Sequence, residues 1–202
     1  MQLIGMLDSP YVRRVAISLN LLGLRFEHRS ISVFSTFAQF QQINPVVKAP
    51  SLVCDDGTVL MDSTLILQYA EHIAARSLLP STTAGIQHDL RLTGLALAAC
   101  EKTVQIVYEH QLRPAEKRHA PWLDRVQGQL AAAYAELERE LATKPMTATA
   151  ESLTQGGLTS AVAWQFTGML LPGQLAAQNH PALQAFSSAA EELEAFRAAP
   201  PA

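Results

Sequence analysis

The chain has 202 residues, 49% of them apolar and 16% charged, with a formal net charge of −3. A disordered chain needs low hydrophobicity and high net charge, and a duplex-binding protein needs a basic excess, so both classes are excluded. No unbroken apolar run exceeds six residues, as in Leu95–Cys100, and no basic region precedes an apolar core at the N-terminus; the expectation is a soluble, cytoplasmic protein that engages neither membrane nor nucleic acid.

The first 80 residues alternate short strands and helices. Gln2–Met6 reads as a strand that stops at Leu7-Asp8-Ser9-Pro10. Val12, Val15, Ala16, Leu19 and Leu22 then recur at intervals of three and four, which predicts a helix closed by Gly23. Arg25–Ile31 reads as a second strand and Ser35–Ile43 as a short helix. Ser51–Cys54 and Val59–Met61 form a hairpin, because Asp55-Asp56-Gly57 between them is turn chemistry. A helix follows from Ser63 to about Arg76. The order β-α-β-α-β-β-α implies one mixed four-stranded sheet with helices on its faces.

After Pro80 the strand signals end. Ile86–Leu112 reads as a long helix stopped by Arg113-Pro114, and Leu123, Val126, Leu130, Leu137 and Leu141 mark a second. Lys144–Gly157 reads as a loop, because of Pro145 and the Gly156-Gly157 pair. Thr159–Leu171 is an almost wholly apolar helix expected at the centre of its domain, and Pro181–Phe196 closes the chain as one more helix. The expected division is residues 1–77, α/β, and 86–202, all helical.

Three stretches of the first domain can carry chemistry. Ser9 precedes a helix with Pro10 at its first position, so it can be a plain N-cap; its hydroxyl at a positive helix end can equally donate to a bound thiolate and lower that thiol's pKa. Pro50 opens a strand, either as an ordinary trans proline or as a cis proline that turns the preceding backbone toward an extended ligand. Asp62-Ser63 starts a helix, as a cap or as a site where Asp62 takes an ammonium and Ser63 a carboxylate, the two charges of an amino-acid head group.

In this order, on this topology, the three stretches resemble the cytosolic glutathione S-transferases, and the string Ser9-Pro10-Tyr11-Val12-Arg13-Arg14-Val15 is close to that of bacterial members with an active-site serine. The resemblance covers essentially the full length. It implies a thioredoxin-like first domain that binds glutathione and an all-α second domain contributing the electrophile pocket. Ser9 would hydrogen-bond the glutathione sulfur as the catalytic residue, and Pro50 would be cis. The backbone of Ala49 would pair with the cysteinyl unit, Asp62 and Ser63 would hold the γ-glutamyl head group, and Lys48 would approach the glycyl end. Tyr11, Tyr108, His110 and Arg113 would be candidates for the electrophile pocket. The resemblance further implies a homodimer, with glutathione as co-substrate and a small hydrophobic electrophile as its partner. An isomerase, dehalogenase or lyase would use the same thiolate, and a non-catalytic module binding a protein partner would use the fold alone.

Three departures stand out. Val47 occupies a position where the family usually has Gly, Ala49 one where it usually has Val, and Thr159-Ser160-Ala161-Val162 lacks the Asp of the family's helix capping box, leaving Thr159 alone as the expected cap. Cys54 and Cys100, without a CxxC pair, are expected in the core, and neither stands at position 9, which disfavours the thiol-transferring branch. The six histidines show no ligand spacing, so no metal is expected.

Overall fold

The computed structural model describes residues 1–201, which fall into two compact units. The first comprises Met1–Leu79 together with the tail from Glu192; the second is Pro80–Glu191.

In the first unit the elements are β1 (Gln2–Ile4), α1 (Pro10–Leu21), β2 (Glu27–Arg29), α2 (Phe37–Ile43), β3 (Ser51–Val53), β4 (Val59–Leu60) and α3 (Ser63–Ile73). The sheet order is β2-β1-β3-β4, with β1 and β2 parallel and the other pairs antiparallel. Leu3 stands opposite Leu52, and Ile4 opposite Ser51. Successive strand residues face opposite sides, so the three-residue β1 serves two cores. Ile4 joins Ile31 and Phe40, with Val33, Ile43, Val47, Ala49 and Val53 packed around them. Leu3 faces the other side; α1 and α3 pack on one another, and their Val12, Val15, Ile66 and Ala70 are all buried. The Asp55-Asp56-Gly57 turn forms as expected, with Gly57 at φ +88° and its N–H donating to Cys54 O.

The sequence reading placed the tail in the helical domain; it groups instead with the first unit. The short helix α8 (Glu194–Arg197) packs on α1. The cause is Arg13, 1% exposed, whose Nε donates to Ala199 O at 2.8 Å while its guanidinium lies 5.5 Å from the Phe196 ring centroid. A buried guanidinium needs an acceptor, and the chain supplies it 186 residues away.

The second unit packs α4 (Thr83–Gln111), α5 (Ala120–Thr143), α6 (Gln155–Leu170) and α7 (Pro181–Glu191). Helix α6 lies against both α4 and α7, and it is buried throughout Gln155–Trp164. Tyr134 of α5 donates to Ala163 O at 2.8 Å and bonds Thr167 at 2.6 Å, and Thr167 bonds Thr103 of α4 at 2.7 Å. Burial holds that phenol well above its ordinary pKa.

Two expectations fail here for one reason. Gly156 and Gly157 are not loop residues: α6 begins before them, with Thr154 as N-cap accepting from Gly157 N–H. A Cβ on Gly156 would lie 2.6 Å from the backbone oxygen of Asp89 in α4. The glycine is there because α4 passes too close for any side chain. Thr159 is therefore mid-helix, its hydroxyl donating to Gln155 O, and it caps nothing. Pro181–Phe196, expected as one helix, is broken between α7 and α8. Cys100 is buried and Cys54 half-buried.

Candidate functional site

The three stretches singled out in the sequence are brought together by contacts inside the first unit. The Ser9 stretch enters α1, with Ser9 as N-cap in extended conformation. Its Oγ accepts from Val12 N–H at 3.5 Å, a bond at the outer limit of length, and its own hydrogen has no acceptor among the described residues. Pro10 lacks an N–H, which the first helical position does not need, and the first helical bond is Arg13 N–H to Ser9 O.

The loop before β3 is held against that helix by Gly5. At φ +138°, Gly5 takes a conformation open to glycine, and a Cβ there would meet Val12 Cγ2 at 2.6 Å and Ala49 Cβ at 3.2 Å. The glycine thus lets the Ala49 loop close onto the start of α1. The Ala49–Pro50 peptide is cis. Neither the N–H nor the C=O of Ala49 has a hydrogen-bond partner among the described residues, while the ladder with β1 starts at Ser51.

Asn44 organises this loop. Its Oδ1 accepts from Val46 N–H at 3.0 Å, and its Nδ2 donates to Ser51 Oγ at 2.8 Å and to Met61 Sδ at 3.2 Å. Ser51 in turn donates to Lys48 O. One buried amide therefore ties the Ala49 loop to the residue before Asp62. Lys48 is exposed, and its ammonium forms no ion pair among the described residues. Val47 sits at φ +52°, a left-handed conformation unfavourable to a β-branched side chain. The departure noted at this position is thus a real backbone cost, offset by packing against the Ile4–Phe40 core.

The third stretch opens α3. Asp62 is the N-cap: Oδ1 accepts from Thr64 N–H at 3.0 Å and Leu65 N–H at 3.3 Å. Oδ2 has no hydrogen bond among the described residues, nor has the N–H of Ser63. Ser63 is 3% exposed and accepts from Arg14 Nη1 at 3.3 Å, which links α3 back to α1.

The remaining candidates lie apart in the chain. Tyr11 is the second residue of α1 and half-buried. Tyr108 and His110 end α4, both exposed, and Arg113 follows it. Arg113 is committed locally: its Nε lies 2.9 Å from Oε2 of the buried Glu109, whose Oε1 accepts from His119 N–H. It closes the connection between α4 and α5. Sequence reasoning missed Arg14, Asn44 and Gly5. Arg14 had one visible signal: with Arg13 it is one of two charged residues in a helix whose other positions are uncharged.

Among the described residues no group of three or more His, Cys, Asp or Glu side chains could hold a metal, and no helix is long and apolar enough to cross a membrane.

Residues 3–78 match the family described as glutathione S-transferase, N-terminal domain. The uncharacterized GST-like protein YibF of Escherichia coli is 30% identical over 119 residues, 58% of each chain, so the match spans little more than half of that relative. A glutathione S-transferase from Methylobacterium radiotolerans, solved in complex with glutathione sulfonate, superposes with a TM-score of 0.90 at 28% identity, over 99% of this chain and 94% of that one. A glutathione transferase family member from Pseudomonas fluorescens, with bound S-(propanoic acid)-glutathione, gives 0.86 at 28% identity, over 100% and 99%. The chain has the glutathione S-transferase fold, and these matches support the cytosolic glutathione S-transferase family.

Proposed function

We propose that this chain, which has the glutathione S-transferase fold, is a serine-type cytosolic glutathione transferase that activates the thiolate for attack on a small hydrophobic electrophile. The observation that carries this reading is the set of groups left without partners in the first unit. They are a hydroxyl hydrogen at the N-terminus of α1, an open backbone at Ala49, and an acceptor and donors at Asp62 and Ser63. Glutathione offers the complement of each, and the relatives from M. radiotolerans and P. fluorescens were solved with glutathione derivatives bound.

Ser9 donates to the sulfur and favours its charged form, aided by the positive end of α1. A hydrogen bond to a charged group contributes about 1.5–3 kcal/mol, which lowers the thiol pKa by about one to two units. The cysteinyl unit pairs with the backbone of Ala49 beside Pro50, and the ammonium meets Asp62 Oδ2. The α-carboxylate takes the N–H and hydroxyl of Ser63, and the glycyl carboxylate approaches Lys48. The thiolate then forms a carbon–sulfur bond as the electrophile's leaving group departs with the electron pair. The first unit's contribution is activation and placement.

Apolar side chains stay exposed on α3, Leu65 and Ile73, and on α4, Ile86 and Leu90, which supports a homodimer. The test of function is calorimetric titration with glutathione, followed by turnover of an activated aryl halide. Binding with turnover supports the transferase reading; binding without turnover of any electrophile class leaves a carrier; no binding at millimolar glutathione overturns the reading.

A further inference from the structure

We propose that Arg14 is a positioning residue for the carboxylate end of the ligand, an inference that rests on the glutathione reading above. Arg14 lies in α1, five residues beyond the serine, and is 3% exposed. Its Nη1 donates to Ser63 Oγ at 3.3 Å and to Thr64 Oγ1 at 3.4 Å, so one guanidinium spans the first two residues of α3.

Two consequences follow from its chemistry. A guanidinium only donates, so the Ser63 oxygen must act as acceptor toward it. The hydroxyl's single hydrogen is then directed elsewhere, and donation to an anion is the use left to it. The same guanidinium stays protonated at any working pH. A carboxylate accepting from the Ser63 hydroxyl would sit no more than about 6 Å from Arg14 Nη1 by ordinary hydrogen-bond lengths. The positive end of α3 acts on that carboxylate in the same sense. Asp62 stands beside it with an open oxygen for the ammonium. Arg14 therefore selects a charged α-carboxylate over a neutral group, and it does so through Ser63 without being placed on the reacting sulfur.

The test compares glutathione with 4-aminobutyryl-cysteinyl-glycine, which lacks only the α-carboxylate, by calorimetry on the wild-type chain, Arg14→Gln and Arg14→Lys. The wild type is expected to prefer glutathione by roughly 30-fold or more. Arg14→Gln, which keeps a donor and loses the charge, should shrink that preference to about 3-fold, mainly by weakening glutathione. Arg14→Lys, which keeps the charge, should fall between the two. Because both ligands meet the same sample, a fraction of unfolded protein cancels from the ratio, and the lysine variant keeps the test open if the glutamine variant does not fold. An undiminished preference in the variants overturns the role of Arg14 while leaving glutathione binding intact. Failure of the wild type to bind glutathione overturns both readings and is seen before any variant is made.

Discussion

Two helix N-termini in this molecule use the same capping chemistry to opposite ends. At α6, Gly157 N–H is taken by Thr154 Oγ1 and Gly156 N–H by Asp89 Oδ1 at 2.8 Å, in the interior of the helical unit. At α3, Asp62 Oδ1 takes Thr64 and Leu65, but the second oxygen, the Ser63 N–H and the Ser63 hydroxyl hydrogen are left over. A cap that consumes its donors closes a core, and a cap that leaves them keeps polar groups open to a ligand. The distinction lies in what the neighbouring helix brings: a carboxylate acceptor from α4 in one case, a donor-only guanidinium from α1 in the other.

The comparison is broken most directly at α6. Gly156→Ala places a methyl 2.6 Å from the Asp89 backbone oxygen, which should cost about 2–3 kcal/mol and lower the melting temperature by roughly 5–10 °C. Glutathione affinity should be unchanged, as isothermal titration at low temperature would show.

Asp62→Asn separates the two uses at α3. Asparagine caps a helix as well as aspartate, so melting should stay within about 2 °C. Losing the charge should weaken glutathione binding roughly ten- to hundred-fold. An equal loss of stability and affinity would mean that Asp62 is only a cap.

Val47 tests the loop that carries Ala49. A left-handed backbone costs an L-residue about 1–2 kcal/mol, while removing the side chain forfeits about 1 kcal/mol of packing and adds up to about 1 kcal/mol of chain entropy. Chemical denaturation of Val47→Gly should therefore lie within about 0.5 kcal/mol of wild type. Val47→Ala keeps most of the strain and loses the packing, and should be the less stable of the two.

The smallest effect is electrostatic and confined to the helical unit. Hydrogen bonding and charge from Arg91 hold the Glu140 carboxyl below its ordinary pKa. A carboxyl depressed on folding adds stability above its unfolded pKa and loses it as pH falls through the folded value. Arg91→Met should melt slightly below wild type at neutral pH, less so in high salt, and the difference should vanish as pH falls through the depressed folded-state pKa of Glu140.

Much of the first unit was legible because its signals are local. The order of strands and helices, the Asp55-Asp56-Gly57 turn, and serine and aspartate at helix starts are all read within a few residues. What escaped depends on distant partners. Gly156-Gly157 looks like a loop until Asp89, 67 residues earlier, is seen against it. Thr159 looks like a cap once that pair is taken as a break. The tail from Glu192 joins the first unit through Arg13, and no local pattern reveals that contact. At the candidate site, Ser9, Ala49, Asp62 and Ser63 could be proposed from the sequence, whereas the hydrogen bonds of Arg14 and Asn44 could not. Those two tie the visible stretches to one another, and the partner of such a bond cannot be read from the residues around either end.

The central claim is that Ser9 favours the thiolate of bound glutathione. Ultraviolet difference titration of glutathione against pH, with the wild-type chain and with Ser9→Ala, tests it most directly. The account predicts a thiolate band whose midpoint lies about one to two units below that of free thiol and returns to the free value in the variant. Identical midpoints in the two proteins, with glutathione bound to both, would contradict it.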